Sequence, residues 1–137
     1  MEKPIRIMLV DDDADDQLFF MDALKEVAPA IVCNVANNGD EALQQVEIPP
    51  LPDIIFMDLN MPIMNGYECL YALKKDPRFN KIPVIIFTTS KNAQDIERSK
   101  ELGANLFFTK PSDFKVLCDR LRRIVDKDLP SHSFVVS

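Results

Sequence analysis

Apolar residues in this chain fall into five short runs separated by longer amphipathic segments. The runs cover residues 5–10, 31–35, 54–57, 84–87 and 106–109. Most of them are continuously apolar rather than alternating, which is typical of strands that are buried on both faces of a parallel sheet. The pattern therefore predicts five internal β-strands.

Helical periodicity fills the segments between these runs. Phe20, Ala23, Leu24 and Val27 recur at spacings of three and four residues, which places them on one face of a helix. Further helices are predicted over residues 40–46, 66–75, 93–102 and 114–125. Strands that alternate with helices and cross over with right-handed connections form a doubly wound α/β fold, a parallel sheet with helices on both faces.

Length and composition limit the domain organisation. The chain has 137 residues, of which 47% are apolar, and this is sufficient for one buried core. We expect residues 1–127 to form a single domain. Residues 128–137 are predicted to be a C-terminal tail that is too short to be an output domain.

The charge and the cysteines exclude several classes of protein. The net charge of −6 argues against direct DNA binding, because nucleic-acid-binding domains generally carry a basic face. No apolar run approaches the roughly 18 residues that a membrane span needs, and the amino terminus lacks a signal-like region. Three cysteines without a C-x-x-C spacing indicate buried thiols. We therefore expect a cytoplasmic protein.

Polar side chains follow four of the predicted strands at the points where these strands end. Asp11 and Asp12 follow the first strand, Asp58 the third, Thr88 the fourth and Lys110 ends the fifth. The carboxyl ends of parallel strands meet at one edge of the sheet, where open α/β sheets bind their ligands. The sequence thus predicts that these five side chains share one crevice.

Three carboxylates in one crevice repel one another unless a cation neutralises them, and an all-oxygen ligand set favours Mg²⁺. Asp58 would then be a nucleophile that forms an acyl phosphate, while Lys110 and Thr88 hold the charge of the transferred group. The alternatives are that Asp11 and Asp12 only favour a helix start, that Lys110 is a solvated strand-ending lysine, and that residues 88–90 cap a helix.

Neighbouring acidic residues are left out of the predicted site. We expect Asp13, Asp15 and Asp16 to face solvent or to cap the first helix. Asp53 precedes its strand and is therefore predicted to lie at the opposite end of the sheet.

Four segments in this order resemble the receiver domain of bacterial two-component response regulators, of the single-domain chemotaxis-regulator type. They are residues 9–12, 57–66, 83–88 and 107–111. The resemblance extends over residues 4–127. It implies a flavodoxin-like receiver fold with five strands in the order 2-1-3-4-5.

The resemblance also implies a role for each residue. Asp58 would be the phosphoacceptor. Asp11 and Asp12 would hold Mg²⁺ directly or through water, and the backbone carbonyl of Asn60 would complete the protein ligands together with Asp58. Lys110 would bind the phosphoryl group.

Further expectations from the resemblance concern switching and backbone geometry. Thr88 and Phe107 would form the switch pair, and Pro111 would follow a cis peptide bond. This chain departs from the family at two positions: Phe107 stands where tyrosine is frequent, and Thr89 stands where alanine or glycine is usual. The second departure leaves the dephosphorylation rate open.

By the same resemblance the protein would be a stand-alone regulator and not an enzyme, catalysing only its own phosphorylation and dephosphorylation. Its donor would be a histidine kinase or a histidine phosphotransfer protein, and it would signal to a downstream protein or through a phosphorylation-dependent homodimer. Two alternatives stay open. One is a pseudo-receiver that binds partners without phosphorylation. The other is a haloacid-dehalogenase-type phosphatase, which the spacing Asp11-x-Asp13 or Asp13-x-Asp15 resembles but which needs further acidic residues on a late strand.

Overall fold

The structure, a computed structural model, describes residues 5–126 and 133–136. Its elements, in chain order, are β1 Arg6–Val10, α1 Ala14–Val27, β2 Val32–Ala36, α2 Gly39–Val46, β3 Ile54–Met57, α3 Gly66–Lys75, β4 Val84–Thr88, α4 Ala93–Glu101, β5 Leu106–Thr109, α5 Phe114–Val125 and β6 Val135–Val136. The predicted alternation of strands and helices is confirmed. None of the helices in the described part of the chain has the length and hydrophobicity of a bilayer-spanning segment.

The strands form one parallel sheet in the order β2-β1-β3-β4-β5-β6. The predicted order of the first five strands is therefore confirmed. The chain moves from β1 to one edge and returns to the other side of β1 through β3, so the strand order reverses there. This reversal opens a crevice at the carboxyl ends of β1 and β3.

Both faces of the central strands β1, β3 and β4 are buried, which explains their continuously apolar sequences, whereas β2 at the edge alternates between exposed and partly buried residues. Along β1, Ile7 and Leu9 pack with α1 and α5, whereas Met8 and Val10 pack with α2 and α3. Every residue of β4 is buried. The two layers of helices leave only the ends of these central strands open to a ligand.

Short polar side chains begin each of the helices described. The N-cap residues are Asp13, Asn38, Asn65, Asn92 and Asp113, and the side chain of each accepts a hydrogen bond from a backbone N–H of the first turn. The expectation that Asp13 caps the first helix is confirmed. The alternative that residues 88–90 cap the fourth helix is wrong, because Asn92 fills that position.

The sixth strand was not predicted. Val135 and Val136 pair in parallel with Phe107 and Phe108 of β5, so part of the segment expected to be a tail extends the sheet. A run of two apolar residues at the end of a polar segment carries too little periodicity to predict a strand. The rest of that segment, residues 128–132 and Ser137, lies outside the described residues.

We expect Val136→Asp to lower the free energy of unfolding by about 2 to 3 kcal/mol, because the carboxylate would replace a buried side chain. Val136 is 7% exposed and packs into the α1 and α5 layer. Val135 is 36% exposed, so Val135→Asp is the matched control and should cost well under half as much. Urea unfolding measures both changes. A Val136→Asp protein that is as stable as the wild type would contradict a stabilising role for β6.

Candidate functional site

Three carboxylates meet at the crevice. Asp11 and Asp12 follow β1 and Asp58 follows β3, and one oxygen of each lies within 4.8 Å of the others. The parallel register pairs Val10 with Met57, so Asp11 and Asp58 leave the sheet side by side. Asp11 is fully buried, Asp58 is 9% exposed and Asp12 is exposed. The structure thus brings together the three carboxylates that the sequence predicted to hold a metal.

Lys110 reaches this cluster from the end of β5. Its Nζ lies 2.7 Å from Asp11 Oδ2 and 3.0 Å from Asp58 Oδ2, and its side chain is 8% exposed. The backbone N–H of Lys110 donates to the carbonyl of Thr88, with 2.7 Å between N and O. A solvated strand-ending lysine is therefore excluded. The ammonium lies in the crevice, as the predicted phosphate-binding role requires.

The expected cis peptide before Pro111 is wrong. Among the described residues the cis peptide bond joins Pro49 and Pro50, and the Lys110–Pro111 bond is trans. Trans is the lower-energy isomer of a peptide bond that precedes proline. The trans chain already delivers Lys110 to the carboxylates, so its position needs no cis bond.

The buried groups of the site perturb one another. Burial raises the pKa of Asp11, although hydrogen bonds from Lys110 and from the Asp13 N–H oppose that rise. Burial acts to lower the pKa of Lys110, but hydrogen bonds to Asp11 and Asp16 outweigh it, and the net shift is upward. Lys110 is therefore a cation at neutral pH. A single ammonium cannot neutralise all the carboxylates around it, so the donor set fits a divalent cation.

Thr88 ends β4 and is fully buried. Among the described residues, its Oγ1 and the Oγ of Ser99 are the buried side-chain oxygens that lack a hydrogen-bond partner. A buried hydroxyl without a partner costs free energy, so the Thr88 hydroxyl is available to a group that binds in the crevice. This hydroxyl at the end of a crevice strand fits a phosphoryl oxygen.

Phe107 shares a layer with Thr88. Its strand neighbour Ile86 lies two residues before Thr88, and side chains two residues apart on a strand point to the same face. Phe107 is fully buried and packs against Phe134, with 6.4 Å between the ring centroids. The switch roles of Thr88 and Phe107 stay predictions.

The loop between β3 and α3 is anchored next to Asp58. Asp58 Oδ1 accepts a hydrogen bond from the N–H of Leu59, and the carbonyl of Leu59 accepts one from Gly66, with donor to acceptor distances of 2.7 and 3.0 Å. Asn60 lies in this loop and is exposed. Its role as a backbone ligand stays a prediction. Asp53 accepts a hydrogen bond from the N–H of Arg6 at the start of β1, and so lies at the opposite end of the sheet, as predicted.

Asp16 belongs to the crevice, contrary to the expectation that it faces solvent. Its Oδ2 lies 2.8 Å from the Nζ of Lys110, while Asp15 in the same helical turn is exposed. Asp12 precedes the N-cap Asp13, so helical spacing does not relate it to Asp16. The contact of Asp16 with Lys110 depends on how α1 packs against the sheet, which no spacing in the sequence indicates.

Gln17 was also missed. Its Nε2 donates to the carbonyl of Asp11, 2.6 Å away, and to Oδ1 of Asn37, 2.9 Å away. These bonds tie the turn after β1 to α1 and to the segment after β2. Polar side chains of this kind position the carboxylates without contacting the ammonium of Lys110.

Comparison with known proteins found relatives that are similar in length to this chain and others that are longer. The chain is 35% identical over 120 residues to the response regulator Rcp1 of Synechocystis sp., and the match covers 83% of this chain and 82% of that protein. It is 37% identical over 110 residues to the protein-glutamate methylesterase/protein-glutamine glutaminase of Bacillus subtilis. That match covers 79% of this chain but only 30% of the methylesterase.

Two solved structures have the same fold. The crystal structure of the phosphorylated cyanobacterial phytochrome response regulator RcpA has a TM-score of 0.84 and 29% identity, and the match covers 90% of this chain and 93% of that chain. The Mn²⁺-bound form of Rcp1 has a TM-score of 0.80 and 30% identity, and the match covers 96% and 99%.

The family follows from these matches and from the site. A family model for the response regulator receiver domain matches residues 7–122, which include the three carboxylates, Thr88 and Lys110. The resemblance seen in the sequence is confirmed, and the chain belongs to the response regulator receiver domain family.

Proposed function

We propose that Asp58 accepts a phosphoryl group in a Mg²⁺-dependent reaction. The observation that carries the proposal is the position of the Lys110 ammonium, which donates to both Asp58 and Asp11 inside the carboxylate cluster. Asp11, Asp12 and Asp58 would hold the cation with the backbone carbonyl of Asn60. Bound Mg²⁺ would neutralise charge on the transferring oxygens.

The residues of the chain then divide the remaining work. A carboxylate oxygen of Asp58 forms a bond to phosphorus as the bond from phosphorus to the donor breaks. The histidine nitrogen of a phosphohistidine donor keeps the bonding electron pair and takes up a proton, which leaves a neutral imidazole. Lys110 donates to the transferred oxygens. The unpaired hydroxyl of Thr88 donates to another of them and gains the partner that it lacks.

We also propose the partners that such a reaction requires. A histidine kinase or a histidine phosphotransfer protein would supply the phosphoryl group, and a downstream protein or a second copy of the chain would read the modified state. Residues 1–127 would act as one cytoplasmic receiver domain, whose sheet is extended by β6. The domain would catalyse only its own phosphorylation and dephosphorylation. The phosphorylated state of RcpA and the Mn²⁺-bound state of Rcp1 support this assignment by analogy.

Neither alternative is favoured by an observation. A pseudo-receiver would not need the full set of carboxylates, hydroxyl and lysine that this crevice contains. For a haloacid-dehalogenase-type phosphatase, Asp13 would be a second catalytic carboxylate, but it caps α1 and accepts the N–H of Asp16.

The test is incubation with acetyl phosphate and Mg²⁺, with and without a chelator, followed by intact mass measurement and peptide mapping. We expect a gain of one phosphoryl group on Asp58 that disappears with the chelator, because the carboxylate cluster needs the cation. Beryllofluoride, a phosphoryl mimic that is not hydrolysed, is the companion probe for an adduct that decays quickly. If the protein gains no adduct and does not bind beryllofluoride, the pseudo-receiver becomes the better assignment.

A further inference from the structure

The ammonium of Lys110 has three hydrogen-bond donors, and three carboxylates occupy them. Asp11 Oδ2, Asp16 Oδ2 and Asp58 Oδ2 lie 2.7, 2.8 and 3.0 Å from Nζ. These acceptors come from the end of β1, the first turn of α1 and the end of β3. Asp16 is the one that the proposed chemistry does not use.

The three acceptors differ in what else they can bind. Asp11 and Asp58 belong to the group whose oxygens lie close enough to share a cation, and Asp16 does not. Asp58 is also the proposed site of modification. A cation that draws the oxygens of Asp11 and Asp58 toward itself would compete with Lys110 for them, and Asp16 would remain as an acceptor for the ammonium.

Apart from these carboxylates, the described residues around Lys110 include no anchor of comparable strength. The side chain of Lys110 is only 8% exposed, whereas that of Asp16 is 41% exposed and lies at the rim of the crevice. The ring of Phe87 lies 5.5 Å from Nζ and offers a weaker cation–π contact. Asp16 itself is fixed by the helix start, because its N–H donates to the N-cap Asp13.

We infer that Asp16 is a positioning residue for phosphoryl transfer: its carboxylate holds the ammonium of Lys110 over Asp58 while Asp11 and Asp58 engage the cation. The inference rests on the proposed function of Asp58. Asp16 is not one of the three carboxylates of the metal group, and its side chain accepts a hydrogen bond from Lys110, through which it would act. One donor of the ammonium is fixed by Asp16, and the others are thereby directed into the crevice.

The central variant is Asp16→Asn, with Asp15→Asn as its matched control. Both positions lie in the first turn of α1, and both substitutions remove one negative charge near the helix start. Asp15 is exposed, so its substitution reports the general electrostatic effect. Asp16→Ala serves as a second variant, since the amide oxygen of asparagine retains a weaker acceptor.

We expect the maximal rate of Asp58 labelling, at saturating acetyl phosphate and Mg²⁺, to fall about tenfold in Asp16→Asn and further in Asp16→Ala, the loss expected for a hydrogen bond to a charged group. The Kd for Mg²⁺, measured by calorimetry, should change no more than in Asp15→Asn. If Asp16 contributed only to folding, the labelling rate and the Kd for Mg²⁺ would change together.

The decisive comparison is made in the Lys110→Met background. If Asp16 acts through Lys110, adding Asp16→Asn to Lys110→Met changes the labelling rate less than twofold. Two outcomes would overturn the inference, provided that the wild type is labelled. One is an additional tenfold loss of the labelling rate when Asp16→Asn is added to Lys110→Met. The other is a labelling rate for Asp16→Asn that is equal to or above that of Asp15→Asn. Absence of wild-type labelling and beryllofluoride binding would instead overturn the proposed function, and this inference with it.

Discussion

Asp58→Asn abolishes the Mg²⁺-dependent phosphoryl adduct and leaves the fold intact. An amide oxygen is a far weaker nucleophile than a carboxylate, and the substitution removes one of the three ligands in the proposed metal group. The amide is nearly the same size, and its oxygen can still accept the N–H of Leu59. Intact mass measurement after incubation with acetyl phosphate should show the unmodified mass, a loss of labelling of at least about a thousandfold for a nucleophile that is removed.

Stability is the second readout for this substitution. Asp58→Asn removes one partner of Lys110, but it also relieves repulsion between Asp58 and Asp11, so we expect the free energy of unfolding to change by about 1 kcal/mol or less. Asp22→Asn, at an exposed position on α1, is the matched control and should label like the wild type. Labelling of Asp58→Asn at full stoichiometry would place the nucleophile on another residue.

Buried negative charge in the crevice destabilises the folded chain, and a ligand that neutralises this charge would stabilise it. The folded-state pKa of Asp11 is raised mainly by burial, so its ionised form is less favourable in the folded chain than in the unfolded chain. Ionised Asp11 therefore lowers the free energy of unfolding when the pH is above the folded-state pKa of Asp11. This destabilisation disappears as the pH falls below the pKa of Asp11 in the unfolded chain. A cation bound between Asp11 and Asp58 would offset that cost at neutral pH.

The strands could be predicted because burial on both faces removes alternation from the sequence. Residues 54–57 and 106–109 were placed without error, and residues 84–87 missed only Thr88. The first predicted strand was one residue too long at its start, and the second was shifted by one residue at both ends. β6 was missed because its position depends on pairing with the exposed edge of β5, which is a tertiary contact that two valines do not encode.

The site residues, like the strands, could be predicted where the sheet alone positions them and were missed where tertiary packing does. Asp11, Asp58 and Lys110 were predicted because the ends of parallel strands must meet, whatever the packing of the helices. Asp16 was missed because its contact with Lys110 depends on how α1 lies against the sheet. The hydrogen bond from the hydroxyl of Tyr67 to Asp95 joins α3 and α4 in the same way, and no spacing in the sequence indicates it.

Among substitutions that add one methyl group near the crevice, we expect Gly66→Ala to be the most destabilising. A Cβ at Gly66 would lie 2.2 Å from the carbonyl oxygen of Asp58 and 2.8 Å from the Cα of Leu59. Both are backbone atoms, so the clash cannot be relieved by a side-chain rotation. The favourable helix propensity of alanine, about 1 kcal/mol over glycine, is small against overpacking of this kind.

We expect Gly66→Ala to lower the free energy of unfolding by about 3 kcal/mol or more and to slow Asp58 labelling, because relief of the clash must shift the carbonyl of Asp58. Gly103→Ala is the control. Gly103 has a φ of +99°, and its added Cβ would lie 3.2 Å from Cγ of the flexible Lys74 side chain, so only a conformational cost of about 1 to 2 kcal/mol is expected.

Denaturant unfolding and the labelling rate together separate the two glycines. Gly103 follows α4 and precedes β5, so it lies at the end of the sheet opposite the crevice, and Gly103→Ala should lose stability without losing the rate of labelling in the folded protein. Gly66→Ala should lose both, since α3 begins against the backbone of the phosphoacceptor itself. A Gly66→Ala protein that is as stable as Gly103→Ala and labels at the wild-type rate would show that the loop after β3 can yield. The close approach of α3 would then not be what fixes Asp58 beneath Lys110.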